Sequence, residues 1–426
     1  MATLAAGEGQ GERILTLDVI RGIAVMGIFS VNVIGMAMIQ TAYFYPPAFG
    51  FEHLSDKVVW LVNFILVDGK LRSLFSILFG ASMLLVMDAA IRSGRSAWRA
   101  HYARMIVLLG IGFLHFFLLW WGDILTHYAA VGMVVVLLSK LRARILMIIA
   151  VVGFILYAAP GAFFVPGIMA ERAAAQRPDA PPELRARWAE RERRLAPDPQ
   201  AIAQDRAHHA TIPAHFRSAA ENGWDAPLHF GPLWLETMAL MLLGMAGYKS
   251  GFLTGQWSDR RYRRVAAICL GGSLAAFGGL GAWIWLSGFQ SSRFFLANQL
   301  LSLPLRPVAA MGYAALIILL FRDAGALRDR FAAVGRMAFS NYLACTIIGT
   351  FVFFGFAGDM YARLSRFEAW LLVPPVWALM LLWSKPWLDR FDYGPLEWLW
   401  RSLSRGRIQP MRGRPRPPAE PVPASA

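Results

Sequence analysis

Apolar runs about 20 residues long recur along the chain, and most charged residues fall in the short stretches between them. A helix needs about 20 mainly apolar residues to cross a hydrocarbon core roughly 30 Å thick. This pattern predicts an all-α polytopic integral membrane protein with about ten transmembrane helices. The predicted spans are 19–39, 71–91, 102–121, 124–139, 144–165, 231–249, 264–287, 305–321, 333–356 and 367–385.

Arginine clusters predict the orientation of these spans. They lie in the stretches 92–104, 140–144, 249–264 and 322–336 and in the tail after Lys385. Short cytoplasmic loops collect Lys and Arg. With ten spans and both termini cytoplasmic, every cluster falls on the cytoplasmic side. The connection 166–230 falls on the other side, and its part from Glu171 to Asp225 holds nine arginines and nine acidic residues.

The same pattern divides the chain into five parts. We expect a flexible N-terminus at 1–12 and an N-terminal bundle at 13–165, which includes an outer interfacial helix before the second span. Next come an extracytoplasmic helical cap at 166–230 and a C-terminal bundle at 231–404, ending in an amphipathic surface helix anchored by Trp398 and Trp400. A disordered basic tail follows at 405–426. Prolines and charges leave a disordered loop open as the alternative for 166–230.

Composition excludes several classes of protein. The chain is 57% hydrophobic and 16% charged, which is outside the usual range of soluble domains. Its net charge of +15 is spread in clusters between apolar runs, so we expect membrane topology and no nucleic-acid partner. The two cysteines, Cys269 and Cys345, lie in apolar runs and predict no disulfide framework or metal site. We read His208, His209 and His215 as solvated surface residues, with no metal expected.

The stretch from Gly112 to Tyr128 is the first candidate for chemistry. It places His115 inside an apolar run and Asp123 just after a Trp-Trp-Gly turn. An ionisable group at membrane depth costs about 2.5–3.5 kcal/mol on insertion scales, so it is rare unless paired or used. Asp123 could fold back to fix the His115 tautomer, which would make His115 a general base. Core packing of His115 is the alternative.

Other polar residues in or beside the spans are weaker candidates. Asp18 and Arg21 share a helix face, where mutual pairing is favoured over substrate contact. Asn32 lies deeper in the same span, where a contact between helices is the simplest role. Asp68, Lys70 and Arg72 lie at the outer start of the second span, where the two basic residues need an acidic partner. Together with Asp123 they could line a pocket for a polar or anionic ligand, or extend to the interface instead.

Five separated motifs resemble the bacterial YeiB-like membrane family, a group named as a domain of unknown function, from about Arg13 to Arg401. They are Leu17-Asp-Val-Ile-Arg-Gly-Ile, Leu74-Phe-Ser-Ile-Leu-Phe-Gly, Gly112-Phe-Leu-His with Trp120-Trp-Gly-Asp-Ile-Leu, Val334-Gly-Arg-Met-Ala-Phe-Ser-Asn-Tyr-Leu and Gly394-Pro-Leu-Glu-Trp-Leu-Trp-Arg. The resemblance implies a multi-pass protein of the bacterial inner membrane.

The first of these motifs also resembles the start of the transmembrane acyltransferase superfamily, which includes acyltransferase-3 proteins and lysosomal heparan glucosaminide acetyltransferase. Those enzymes move acyl groups from cytoplasmic coenzyme A to sugars across the membrane, using a membrane-embedded histidine. That histidine usually lies near the first two spans, whereas His115 is in the third predicted span.

The resemblance implies an acyltransferase that uses acyl-CoA, such as acetyl-CoA, with His115 as base and Asp123 orienting it. Asn32 would line the acyl path. The donor phosphates would bind inner arginines such as Arg104, Arg261 and Arg336. Asn341, in the fourth motif, joins the candidate substrate-binding residues together with Asp18, Arg21, Lys70 and Arg72.

The expected partners are the lipid bilayer and a glycan or small-molecule acceptor, and a homodimer is left open. A transporter or exporter of a small polar solute is the alternative function, although no repeated half of the sequence supports alternating access. A structural or assembly partner is the third interpretation.

Overall fold

The apolar runs form helices, and the polar stretches between them form turns or short helices. The structure is a computed structural model that describes residues 5–223, 231 and 233–412. Side chains are described for residues 15–221, 231 and 233–412. The end of the connection, at 224–230, and the predicted tail beyond residue 412 lie outside the described residues. The first part of the chain forms α1 (Ala5–Ala37), α2 (Gln40–Phe44), α3 (Leu54–Leu66), α4 (Lys70–Arg92), α5 (Ala97–Leu118), α6 (Leu125–Val135) and α7 (Ala143–Ala175).

Three short helices follow α7 and correspond to the predicted cap. They are α8 (Pro182–Arg193), α9 (Pro199–His208) and α10 (Ile212–Gly223). The rest of the described chain forms α11 (Leu233–Lys249), α12 (Asp259–Val265), α13 (Gly272–Leu286), α14 (Ser291–Leu296), α15 (Leu305–Leu320), α16 (Ala326–Arg336), α17 (Ala338–Phe353), α18 (Arg366–Trp370), α19 (Val373–Leu388) and α20 (Pro395–Ser404). One-turn 3₁₀ segments occur at Pro46–Ala48 and Val136–Leu138, and π segments at Ala266–Gly271 and Ala297–Leu301.

Six described helical stretches are long and apolar enough to cross a membrane, and two bent pairs raise that number to eight. All eight overlap predicted spans. The other two predicted spans correspond to the shorter apolar stretch Leu125–Leu138 and to the 17 residues of α11. The count of ten therefore stays a prediction. The predicted interfacial helix is joined to the second span, because α3 and α4 together form one apolar stretch of 39 residues.

One long face of α7 is apolar and exposed. Its exposed side chains include Ile148, Val152, Ile155 and Phe163. An exposed apolar surface of this length is unfavourable in water and favourable in lipid, since lipid chains are as apolar as these side chains. The face is therefore what a lipid-facing helix requires.

Two helix crossings are so close that only glycine fits. At the crossing of α1 with α16, a Cβ added at Gly22 would lie 2.1 Å from the Phe331 carbonyl oxygen, and one at Gly335 would lie 1.8 Å from that of Asp18. The crossing of α4 with α11 repeats this arrangement at Gly80 and Gly244. Small residues let apolar helices approach and gain packing contacts. Two of the sequence motifs, around Gly22 and Gly335, are thus two sides of one contact.

The cap histidines contradict the expectation of solvated side chains. His209 and His215 are buried, at 8% and 7% exposure, and their ring centroids lie 5.4 Å apart. His209 stacks on Tyr361 at 4.2 Å, and the Tyr361 hydroxyl donates to the Asp205 carboxylate at 2.7 Å. Aromatic side chains after α17 cover these rings, which sequence spacing along the cap does not reveal. The cap is thereby fixed to the loop that follows α17.

We expect Gly22→Ala to destabilise the fold, because the added methyl group collides with backbone that cannot move aside. Overpacking typically costs about 1–3 kcal/mol. Thermal unfolding of the purified protein in detergent should show a melting temperature several degrees lower. Gly278→Ala is the matched control, since a Cβ there meets nothing within 4 Å. Equal melting temperatures for the two variants would contradict the close crossing.

The attachment of the cap should weaken as pH falls. Burial and the neighbouring His209 lower the pKa of His215 to about 4, and burial also lowers the pKa of His209. An opened cap exposes histidines with pKa about 6.5, so it binds more protons. The stabilisation is complete above pH about 6.5 and is lost as pH falls towards 4. Hydrogen exchange of α10, corrected for intrinsic rates, should accelerate over this range. His215→Leu should reduce this change in exchange rate with pH. A variant with the same pH profile as the parent would contradict the role of His215.

Candidate active site

His115 and Asp123 meet at the end of α5. Asp123 folds back through the turn 119–124, and its Oδ1 lies 2.8 Å from Nδ1 of His115. Both side chains are almost completely buried, at 0% and 1% side-chain exposure. Trp120 holds the turn in place by donating its indole N–H to the Gly35 carbonyl of α1 at 3.0 Å. The structure thus brings together the two residues that the sequence paired.

The Asp123 carboxylate also satisfies the start of α6. Its Oδ1 accepts the backbone N–H of Leu125 at 3.1 Å, and Oδ2 accepts that of Thr126 at 2.8 Å. Unpaired N–H groups and the helix dipole at a helix start both favour a negative charge. A carboxylate that accepts these bonds accepts from His115 as well, so Nδ1 carries the proton. In the neutral imidazole, this tautomer leaves Nε2 with its lone pair.

Gly112 makes room for this arrangement. A Cβ at that position would lie 2.4 Å from the Thr126 nitrogen and 2.5 Å from its hydroxyl. One turn of α5 therefore presses directly on the start of α6. This explains why a glycine precedes His115 by three residues in the third motif.

Two residues beside His115 were not among the predicted candidates. Nε2 of His115 lies 3.0 Å from the Thr346 hydroxyl, and the Tyr342 ring centroid lies 5.4 Å from that of the imidazole. Both belong to α17 and lie one turn apart, so the same helix face carries them. Tyr342 follows Asn341 in the fourth motif, but nothing in the sequence connects that motif with His115. The result is a buried series Asp123, His115, Thr346.

A cavity of about 540 Å³ opens beside this group. Its deep part is lined by apolar and aromatic side chains, among them Phe79, Leu125, Tyr128 and Tyr342. His115 is not among the lining residues, whereas Tyr342, whose ring packs against the imidazole, is one of them. The cavity therefore approaches the candidate base without touching it.

The other end of the cavity is basic. Five arginines line it, each from a different helix: Arg21, Arg92, Arg104, Arg336 and Arg401. Arg104 lies over the Trp400 ring at 4.0 Å, and the Trp400 indole donates to the Arg104 carbonyl at 2.8 Å. Trp400 is thus a wall of the cavity, whereas the sequence suggested a membrane-surface anchor. A basic mouth with an apolar interior suits an anionic group attached to an apolar arm.

Glu397 also lines the cavity mouth, and it was not among the residues predicted from the sequence. Helices α16 and α17 bend by 77° at Met337, which leaves the first N–H groups of α17 without helix partners. The Glu397 carboxylate of α20 accepts the N–H groups of Phe339 and Ser340 at 2.8 and 3.1 Å, and the Ser340 hydroxyl as well. Burial raises the pKa of this carboxyl, and these hydrogen bonds oppose the shift. The surface helix α20 is therefore tied into the cavity wall.

Asp18 and Arg21 pair as the sequence predicted. Their side chains lie 2.7 Å apart, and Arg21 also donates to the Ser82 hydroxyl of α4 at 2.9 Å. Both residues line the cavity mouth. Pairing and ligand contact are thus compatible for these two residues.

The remaining candidates lie away from the cavity. Arg72 donates twice to Glu236 of α11, at 2.8 and 2.9 Å, so its acidic partner is not Asp123. Lys70 donates to the carbonyls of Phe64 and Asp68 and lies 3.3 Å from the centroid of the Phe277 ring. The single pocket expected from Asp68, Lys70, Arg72 and Asp123 does not form, because Asp123 is bound to His115 and α6, whereas Asp68 lines a separate small pocket.

Both amide ends of Asn341 are used between helices. It donates to the Val334 carbonyl and Ser384 hydroxyl, and it accepts from the Trp383 indole at 2.8 Å. Asn32 and Arg261 are not among the residues that line the cavity. The fold uses Asn341 to connect α16, α17 and α19, which is a structural role. Among the described residues, no group of three or more His, Cys, Asp or Glu side chains is placed to hold a metal ion.

Known proteins resemble the chain along most of its length. Residues 247–407 match the family model described as protein of unknown function DUF418. The uncharacterized protein YeiB of Escherichia coli is 28% identical over 92% of this chain and 96% of its own. These matches confirm the resemblance to the YeiB-like DUF418 family. The uncharacterized protein YxaH of Bacillus subtilis is 27% identical over 94% and 96% of the two chains. No solved structure matches the chain significantly.

Proposed function

We propose that this YeiB-like protein is an acyltransferase of the bacterial inner membrane, with both termini cytoplasmic. It would move an acyl group from cytoplasmic acyl-CoA, such as acetyl-CoA, to an extracytoplasmic glycan or small-molecule acceptor. The observation that carries the proposal is the cavity of about 540 Å³ that leads from five arginines to Tyr342, directly beside the His115–Asp123 pair.

The cavity mouth suits the donor. Guanidinium groups bind phosphates through charge-assisted, often bidentate hydrogen bonds. The nucleotide phosphates of acyl-CoA would bind there, while the less polar arm that carries the thioester would extend into the apolar interior. The clustering of arginines at this end agrees with a cytoplasmic orientation, since cytoplasmic loops collect basic residues.

The buried pair suits proton transfer. With Nδ1 bound to Asp123, His115 presents Nε2 to a hydroxyl, the position that Thr346 occupies in the structure. An acceptor hydroxyl there would give its proton to Nε2 while its oxygen attacks the thioester carbonyl carbon. The C–S bond breaks as the C–O bond forms, and His115 returns the proton to the departing thiolate. Asp123 stabilises the imidazolium in between.

Access requires one movement. Tyr342 lines the cavity and packs against the imidazole, whereas His115 does not reach the cavity, so the proposed reaction requires the Tyr342 ring to turn aside. A water-excluding barrier of this kind also limits hydrolysis of the donor.

His115→Ala should abolish transfer of a labelled acetyl group from acetyl-CoA to glycan acceptors in membranes or nanodiscs. General-base catalysis contributes about 10² to 10⁴-fold, so a loss of that size is expected with donor binding retained. His127→Ala is the matched control, because His127 is also buried but bonds to Thr237 on α11. Unchanged transfer in His115→Ala would refute the proposal. Solute flux that depends on His115 without any donor would favour the transporter interpretation.

Arg104→Ala should weaken donor binding. It removes one charge-assisted phosphate contact, so KM for acetyl-CoA should rise about tenfold while kcat changes little. Arg99→Ala controls for loss of charge, since Arg99 is an exposed residue of the same helix. The difference should shrink at high salt, because screening weakens exposed phosphate contacts. If the two variants have the same KM, the basic mouth does not bind the donor.

A further inference from the structure

A second, smaller pocket lies at the end of the helices opposite the arginine-lined mouth. It is lined by polar and aromatic side chains, among them Tyr43, Trp60, Asn63, Asp68, Asn298 and Arg366. Tyr43 follows the end of α1, whereas Arg21, at the middle of α1, lies in the mouth. Ser30 and Ile34 of α1 also line the small pocket, so at 1.5 Å per residue it begins about 14 Å along the helix from Arg21.

Arg366 is the most unusual residue of this pocket. It is 6% exposed, and its Nη2 donates to the Ala42 carbonyl at 2.7 Å. Its Nε is buried and has no hydrogen-bond partner among the described residues. No carboxylate of the described chain lies within 4 Å of it as an ion pair. A buried guanidinium with an unused N–H is costly unless a ligand accepts from it.

Asp68 provides the opposite charge on the same wall. It lies in the turn between α3 and α4, where Gly69 adopts a φ of 72°. The Lys70 ammonium fixes this turn by donating to the carbonyls of Phe64 and Asp68, at 2.6 and 3.1 Å. The sequence made Lys70 a candidate for substrate binding. Its ammonium group instead binds the backbone of this turn and so positions Asp68.

Two amides add donors. The Asn298 side-chain oxygen accepts from Arg306 at 3.0 Å, which leaves its NH₂ group available. The Asn63 side-chain oxygen accepts from Ser30 at 2.7 Å, and its nitrogen donates one hydrogen to the Val59 carbonyl. A second hydrogen remains on that nitrogen. The pocket therefore combines several donors with one carboxylate.

This set of groups discriminates between ligands. An anion would be attracted by Arg366 and repelled by Asp68, and a cation would meet the reverse. A hydroxyl group both donates and accepts, so it can satisfy both residues without adding charge. The pocket volume of about 40 Å³ has room for about three water-sized groups. Two adjacent hydroxyls fill it, and aromatic side chains of its wall, such as Tyr43 and Trp60, can contact their carbon atoms.

We propose that this pocket binds the vicinal diol of a neutral, sugar-like ligand. Asp68 accepts from one hydroxyl, and Arg366 donates to the other. The pocket also adjoins the candidate active site, because the Tyr43 ring packs against Trp121 at 5.6 Å, in the turn that carries Asp123. Where the proposed acyl transfer holds, this diol belongs to the acceptor, and that link rests on the proposed function.

Binding can be tested without any acyl donor, so its outcome is independent of catalysis. The protein should be held in nanodiscs free of glycerol and of sugar-based detergent, whose head groups would compete. Saturation-transfer NMR would measure the binding of methyl glucoside to the protein. It would also compare the binding of propane-1,2-diol with that of propane-1,3-diol, as a matched pair. Saturable binding of the glucoside and preference for the 1,2-diol are expected.

Asp68→Asn should lower the glucoside affinity about tenfold, since it removes a charged acceptor while the backbone contacts of the turn remain. Glu52→Gln, the same change at an exposed residue near the pocket, should leave affinity unchanged. His115→Ala should bind like the parent even where it loses acyl transfer. No saturable binding, or equal affinity in Asp68→Asn, would overturn the proposal. Tighter binding of inorganic phosphate, increased further by Asp68→Asn, would identify an anion site and overturn it too.

Discussion

One carboxylate connects helix formation with chemistry in this protein. Asp123 accepts the first N–H groups of α6 and the Nδ1 hydrogen of His115 with the same two oxygens. The first N–H groups of a helix in an apolar environment have no water to donate to, so they need an acceptor such as the Asp123 carboxylate. The same carboxylate thus completes the start of α6 and, by accepting the Nδ1 hydrogen, sets the tautomer of His115. Structure and the proposed reactivity depend on one interaction.

The sequence predicted helices, arginine-rich ends and the His115–Asp123 pair because each leaves a local signal. Apolar runs of sufficient length predict helices, and a polar turn directly after a span can return only a short distance. Asp123 is eight residues from His115, so the contact was within reach of such reasoning. The arginine clusters were grouped on one side by charge alone, and four of their arginines line one cavity mouth together with Arg21 of α1.

Contacts between distant segments were beyond that reasoning. Thr346 lies 231 residues from His115, and Glu236 lies 164 residues from Arg72, so no spacing rule relates them. A charged residue near a span start looks the same whether it meets a ligand or a buried carboxylate. The burial of His209 and His215 was missed for the same reason, since their cover comes from the segment after α17. Helix-crossing glycines were visible as motif positions, but their partners were not.

The bend at Met337 has a consequence for the end of the chain. Because the carboxylate that completes α17 belongs to α20, the helix that carries Tyr342 and Thr346 is not finished when its own residues have folded. During synthesis, the start of α17 in the cavity wall cannot be completed before residues near position 397 have emerged. Assembly of the central site is thus a late event, governed by the arrival of a helix outside the spans.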